Sequence, residues 1–356
     1  MLHVASLTTA AAIDWARARG ASEGGARELA RSLVGRFAGR TVDAQPARRL
    51  LDAAEAELDW SVPQTTPVED PDGTVRHAVR LADGAIVEAV AIPHPERSTV
   101  CLSTQAGCAR GCLFCETGRL GLQRQLAPEE IVGQFAAVCR HLASLGRPLP
   151  TNVVFMGMGE PLDNLDAVLA AADVLTDRCG FALAARRITL STVGVVPRMR
   201  ELFRRSRYRL AVSLHAANDA DRKALLPVAR SWDLAALRGA IAESREPVLI
   251  QWTLIEGLND SDAHARELLA FCAGLNVRVN LIPLNPGPEE KLRAPSMERV
   301  RAFQKFLSDE GQRAFVRLPH GQEVGGACGQ LAGALREHPD RKPALPVIGR
   351  APATRA

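Results

Sequence analysis

Between residues 152 and 286 five apolar runs of strand length recur with helical stretches between them: NVVFMGMG (152–159), RITLSTVGVV (187–196), RLAVSLHA (209–216), VLIQWTLIEG (248–257) and VRVNLIPLNP (277–286). Strands that read as continuous apolar runs, not as alternating ones, belong in a sheet buried on both faces, and a parallel sheet needs helical crossovers between its strands. PEEIVGQFAAVCRHLASLG (128–146) is one such amphipathic connection. With STVCLST (98–104) leading in, six units result. The expectation is an α/β protein built on an incomplete (β/α)6 barrel, open where an eightfold barrel would close. No Gly-x-Gly-x-x-Gly opens a helix after the first strand, which argues against dinucleotide binding.

The N-terminal third has a different texture. ARELARSLVGRFAG and ARRLLDAAEAELDW carry helical spacing, so residues 1–70 are expected to form a small helical module. TVRHAVRL and IVEAVAIP are short and β-branched around the turn residues DPDG and ADG, which makes 71–100 a strand-rich lead-in to a barrel spanning 101–336. Residues 337–356, rich in proline, are expected to be disordered.

No run of about eighteen apolar residues is present, and the N-terminus lacks a basic start, so neither a membrane span nor a signal peptide is expected and the protein is placed in the cytoplasm. Eight cysteines in 356 residues are too sparse for a disulfide scaffold. A net charge of +4 permits a polyanionic partner without requiring one. The arginine bias, with only four lysines, fits codon usage in a GC-rich genome better than an RNA-binding design.

Three of the eight cysteines fall in CARGCLFC, at Cys108, Cys112 and Cys115. Structural zinc takes four ligands, usually from two Cys-x-x-Cys knuckles, and no second knuckle exists here; a catalytic zinc on three cysteines stays open. A 4Fe-4S cluster held by three thiolates leaves one iron free for another ligand, which is the other reading.

The Cys-x-x-x-Cys-x-x-Cys spacing with Phe114 before the last thiol resembles the cluster loop of radical S-adenosylmethionine (SAM) enzymes, in which the open iron chelates the cosubstrate. Along the chain, STQAGCARGCLFCETG, FMGMGEPLDN, TLSTVGVVPRM, AVSLHAAND, TLIEGLNDS, NLIPLNP and GACGQL resemble, in order, the motifs of the RlmN/Cfr radical-SAM adenosine methyltransferases across residues 85–335. The resemblance implies a 4Fe-4S cluster on Cys108, Cys112 and Cys115. It implies SAM contacts at Gly159, Glu160, Ser191, Ser213, Leu214, His215 and Asn285. It implies a methyl-carrying Cys328, a resolving Cys101 that ends in a disulfide with Cys328, and Glu88 as proton acceptor. The reaction implied is methylation of an adenine ring carbon, carbon 2 favoured over carbon 8, in ribosomal or transfer RNA. Such an enzyme draws electrons from a donor such as flavodoxin or ferredoxin and is expected to be a monomer.

Adenine ring carbons are poor nucleophiles, so a radical route to them is chemically reasonable whatever the resemblance. Cys139, Cys179 and Cys272 have apolar or helical settings and read as packing residues. Three positions depart from the family pattern: Glu116 in CETG, and His320 and Glu323 in LPHGQEVGGACGQL; the RxxQ segment before the first strand is missing too. A radical-SAM enzyme acting on a protein or small molecule, and an RNA-binding protein without catalysis, are the alternatives. The pairing of Cys101 with Cys328 argues against the first, the complete cysteine set against the second.

Overall fold

The computed structural model describes residues 1–40, 43–95, 97–285 and 292–332. β1 (Leu2–His3) is followed by α1 (Thr9–Arg17), α2 (Glu23–Phe37) and α3 (Arg48–Glu57), and β2 (Leu58–Asp59) returns to pair in parallel with β1. Ala26, Leu29, Ala30, Leu33, Val34 and Phe37 of α2 are buried at the spacing of one helix face, and Ser22 caps the helix by accepting from Gly25 N. The expected helical module therefore exists, and its core is continuous with that of the rest of the chain.

A meander follows: β3 (Gln64–Glu69), β4 (Val75–Arg80), β5 (Ile86–His94) and β6 (Arg97–Cys101), each antiparallel to the one before. β7 (Gln105–Gly107) and β8 (Leu122–Gln125) pair across the three-cysteine loop, which contains the short α4 (Glu116–Arg119). Strands and helices then alternate: α5 (Pro128–Ser144), β9 (Asn152–Phe155), α6 (Leu165–Thr176), β10 (Ile188–Thr192), α7 (Val196–Arg205), β11 (Arg209–Ser213), α8 (Asp219–Leu225), α9 (Leu234–Ala242), β12 (Val248–Leu254), α10 (Asp262–Cys272), β13 (Val277–Pro283), α11 (Met297–Asp309) and β14 (Ala314–Val316).

One ten-stranded sheet runs β14-β13-β12-β11-β10-β9-β6-β5-β4-β3, with every pairing from β6 to β14 parallel. The six expected units are all present, and the sheet has two free ends, so the barrel is incomplete. Two features differ from expectation. The three-residue β14 adds a seventh parallel strand, pairing with β13. The strand-rich lead-in is not a separate layer: β6 pairs with β5 on one side and β9 on the other, so the meander extends the barrel sheet, and a boundary at residue 70 would cut the β3-β4 hairpin. The tail 337–356 lies outside the described residues.

The strands are shorter than the apolar runs that announced them. β9 stops at Phe155, β10 at Thr192, β11 at Ser213, β12 at Leu254 and β13 at Pro283, and the described residues that remain of each run form the C-terminal mouth of the barrel. Cys139 and Cys272 are buried and Cys179 packs against the core, as expected of packing residues. No helix among the described residues is long and apolar enough to cross a membrane.

Candidate active site

A cleft opens at this mouth, lined by Cys112, Cys115, Gly159, Glu160, Ser191, Ser213, His215, Asn285 and Cys328 among the residues expected from the sequence. Each wall comes from a different strand or the loop after it, which is why residues far apart in the chain meet here.

Gly159 has φ +102°, and a Cβ there would stand 2.5 Å from the Gln105 side chain, so only glycine fits. Its position lets Gln105 Oε1 accept from Glu160 N at 2.7 Å. Glu160 is buried; its carboxylate accepts from Leu162 N at 3.0 Å and Val193 N at 2.9 Å. Burial pushes it up to about 7, against the pull of the hydrogen bonds from Val193, Leu162 and Thr192. It is a buried carboxyl poised near neutrality at the bottom of a cleft, suited to receive a cationic amine.

Gln251 on β12 joins the next two walls, its Oε1 accepting from Ser191 Oγ at 3.0 Å and Ser213 Oγ at 3.3 Å. Sequence reasoning passed over Gln251 and Gln105; a lone amide inside the apolar run VLIQWTL was the available signal. His215 takes the left-handed conformation (φ 58°), with Nδ1 accepting from Thr253 N at 2.9 Å. Burial and the nearby charge of Arg222 push its pKa down to about 3, so the ring is neutral with its proton on Nε2. Asn259 fixes this turn, donating to His215 O at 2.8 Å and Thr253 O at 2.7 Å. Leu214 is fully buried and lines neither this cleft nor its neighbour; its N–H donates to Gln251 O at 3.0 Å.

Cys328 also borders a second pocket, with Cys101, Met156, Ile282, Asn285 and Arg317. The two thiols thus face one space. Burial, reinforced by the neighbouring Cys328 and opposed by Arg317, pushes Cys101 up to about 12, while Cys328 is exposed. Both are free, and no disulfide exists among the described residues.

The loop bearing Cys328 is pinned from several sides. Asn285 Nδ2 donates to Cys328 O (3.0 Å), Glu116 N to Gly329 O (2.8 Å), Thr117 Oγ1 to Leu331 O (2.9 Å) and Ala332 N to a carboxylate oxygen of Glu88 (2.6 Å). Its front half is held by the turn of the β3-β4 hairpin: Asp72 accepts from Gly321 N at 3.1 Å and meets His320 Nδ1 at 3.1 Å, and Asp70 accepts from Glu323 N (3.0 Å) and Val324 N (3.3 Å). Gly321 (φ +67°) permits this approach, since a Cβ there would stand 2.8 Å from Thr74. All three departures from the family pattern, Glu116, His320 and Glu323, therefore sit at anchor points of this loop. Sequence reasoning read DPDG as a turn and missed its grip on a segment some 250 residues later.

Glu88, like Leu214 and Cys108, lines neither pocket. It is fully buried on β5 and pairs with Arg76 as well as with Ala332 N.

The family pattern implies a cluster on Cys108, Cys112 and Cys115, and the donor set fits one. The three thiols share one loop and interact with each other, and burial pushes all of them above a free thiol, so ligating iron releases protons. Among the described residues no three side chains close on a single ion, as they would for zinc. Thiolates that bind separate irons of a cluster need not converge on one point.

Residues 102–269 match the model of the radical SAM superfamily. The chain is 48% identical to a probable RNA methyltransferase of Sorangium cellulosum, over 82% of this chain and 73% of that one. It is 42% identical to the dual-specificity RNA methyltransferase RlmN of Syntrophobacter fumaroxidans, over 89% and 94%. The crystal structure of a radical SAM methyltransferase from Sphaerobacter thermophilus superposes with a TM-score of 0.84 at 38% identity, covering 93% of this chain and 99% of that one. With a cleft of this composition on a radical SAM sheet and relatives this similar over most of their length, the chain belongs to the RlmN-type radical SAM RNA methyltransferases.

Proposed function

We propose that this RNA methyltransferase adds a methyl group to a ring carbon of adenine, carbon 2 in preference to carbon 8, using Cys328 as the methyl carrier. The observation that carries this reading is the double exposure of Cys328: it borders the cleft whose walls hold Glu160, Ser191 and Ser213, and also the pocket that contains Cys101.

In this reading Cys108, Cys112 and Cys115 hold the 4Fe-4S cluster, and Gly159, Glu160, Ser191, Ser213, His215 and Asn285 hold SAM, with Leu214 acting through its backbone. The bound cluster, reduced by a flavodoxin or ferredoxin, supplies the one-electron chemistry that activates the methyl group. Cys328 first accepts a methyl group from SAM by displacement and later presents that carbon to the adenine ring. Glu88 takes the ring proton, which requires its hydrogen bond from Ala332 to open, so proton loss and loop movement go together. Cys101, as thiolate, then attacks the sulfur of Cys328. The bond from that sulfur to the methylene carbon breaks, that carbon takes up a proton to become methyl, methyladenine leaves, and a Cys101–Cys328 disulfide remains to be reduced by an external thiol.

A relative named as a dual-specificity RNA methyltransferase favours more than one RNA target, and ribosomal and transfer RNA are the proposed pair. The adenine must sit in a loop or be splayed out of its stack to reach Cys328. The test is anaerobic incubation of the reconstituted protein with SAM, reductant and unmodified ribosomal or transfer RNA, followed by nucleoside mass spectrometry. The expected product is 2-methyladenosine; methyl groups on nitrogen only, or on no RNA, would overturn the reading.

A further inference from the structure

Arg222, on α8, is 1% exposed and among the largest fully buried side chains. A guanidinium so deeply buried ordinarily has a carboxylate partner, because desolvating a charge costs several kcal/mol unless an opposite charge compensates it. Arg222 has none among the described residues. Its Nη2 donates to Val193 O at 2.7 Å, and its Nε is buried with no partner. Asp219, one turn earlier, is the foremost charge favouring the cation but forms no ion pair with it, accepting instead from Leu234 N at 3.0 Å.

The surroundings show where the missing anion belongs. The end of α8 is tied to the three-cysteine loop, Leu113 N donating to Leu225 O at 3.1 Å. Cys112, Phe114, Val193 and Leu225 pack in one small apolar cluster, and Cys112, once ionised by ligating iron, is placed to act on Arg222, after Asp219. Arg222 lines neither pocket, but its partner Val193 lines the cleft, so the guanidinium sits behind that wall.

We propose that Arg222 is the counter-charge of the iron-sulfur cluster, a positioning residue that touches no reacting atom but raises the reduction potential through Cys112. This rests on the assignment of Cys108, Cys112 and Cys115 as cluster ligands. Three thiolates around an oxidised 4Fe-4S core carry net negative charge, and one-electron reduction adds another. A cation fixed in a low-dielectric wall favours the more negative, reduced state. The same cation adds to burial in keeping the His215 imidazole neutral.

The test compares wild type with Arg222→Met, of similar length and no charge, and Arg222→Lys, which keeps the charge. Each full-length protein is measured by redox titration of the loaded cluster without SAM and by anaerobic melting with and without cluster. The expected result for Arg222→Met is a more negative potential, the reduced-to-oxidised ratio at fixed poise falling about tenfold, or 59 mV for a one-electron couple. Arg222→Lys should stay near wild type. Without cluster the methionine variant should melt no lower than wild type, since it has lost an uncompensated buried charge; with cluster it should melt lower.

An unchanged potential in loaded Arg222→Met overturns the proposal. So does a cluster-free Arg222→Met protein that melts below wild type by as much as its loaded form does, the mark of a packing role. If Arg222→Met loads no cluster, loading by Arg222→Lys supports the proposal and failure of both overturns it. An error in the underlying cluster assignment would show separately, in a wild type that loads no iron and sulfide.

Discussion

Cys328 is where two differently built regions meet. The cleft walls continue directly from β9 to β13, so their side chains inherit positions from a hydrogen-bonded sheet, and residues such as Glu160 and Gln251 add cross-links between neighbouring walls. The loop from Leu318 to Ala332 contains turns and no strand or helix. It keeps its shape through bonds to Asp70, Asp72, Glu88, Thr117 and Asn285, which belong to four separate parts of the chain. A sheet resists loss of any one contact, whereas a loop tied at a few points can be slackened by a single substitution. This difference suits a carrier that serves two pockets while the cleft stays fixed.

The largest effect separates the two thiols. Cys328→Ala should reduce carbon methylation by on the order of a thousandfold or more with SAM binding retained, because the loss falls on the carrier and not on the cleft. Cys101→Ala should instead accumulate protein joined to RNA through Cys328, seen on denaturing gels and released by nuclease to one modified nucleotide. Normal turnover by either variant would break the division of labour between cleft and loop.

Slackening the loop comes next. Asp70→Ala removes the acceptor of two backbone N–H groups of the loop, and of Asp72 N within its own turn, and should lower RNA methylation by roughly ten- to a hundredfold, the cost of a misplacement of about 1 Å, with Asp70→Asn recovering part of it. SAM affinity, measured by equilibrium binding, should stay within error. A matching loss of SAM affinity would mean that hairpin and cleft are one rigid unit.

A smaller effect is read by pH. Because burial and the adjoining Cys328 push Cys101 up to about 12, its thiolate fraction rises about tenfold per unit across pH 7–9. Release of the RNA adduct in a single turnover should accelerate over that range without a plateau; a plateau near pH 8 would show that RNA binding lowers the Cys101 pKa.

The smallest effect is on stability alone. His77 on β4 is fully buried, lies edge-on to His141 at 4.9 Å, and has no partner for either ring nitrogen. Burial, with His141 adding, pushes it from 6.5 down to about 4, so below pH 6.5 the unfolded chain binds a proton that the folded chain refuses. Stability is full above pH 6.5 and falls as pH drops toward 4, by about 2 kcal/mol at pH 5. His77→Phe should lessen this acid loss in melting curves without changing activity at pH 7.5.

The contrast also marks what was legible in the sequence. The buried parallel strands could be read because each shows a long apolar run, and the cleft residues because they match motifs of the family that the chain resembles, set at or near the ends of those runs. β14 could not, since three residues leave no periodic signal. Nor could the joining of the meander to the barrel, because an antiparallel strand does not reveal which further edge it will pair with. Asp70 and Asp72 look like any turn, and their bonds to the Cys328 loop are contacts of the folded chain with no local pattern. Glu88 was legible as a family residue, yet its burial beside Arg76 follows from tertiary packing alone.

Of the eight cysteines only Cys328 is exposed. In the proposed role its sulfur must meet a base embedded in a macromolecule and cannot be hidden from smaller visitors, so the atom on which turnover would depend is also the one most open to peroxide and alkylating agents. Oxidised alone, such a thiol passes through sulfenic acid to forms that cells do not restore. Here the neighbouring Cys101 offers a way back: its sulfur can condense with the sulfenic acid, expelling water and leaving a bond that reducing thiols reopen. The architecture that lets RNA in therefore carries its own repair, and oxidant damage to this enzyme should be reversible for as long as Cys101 is present.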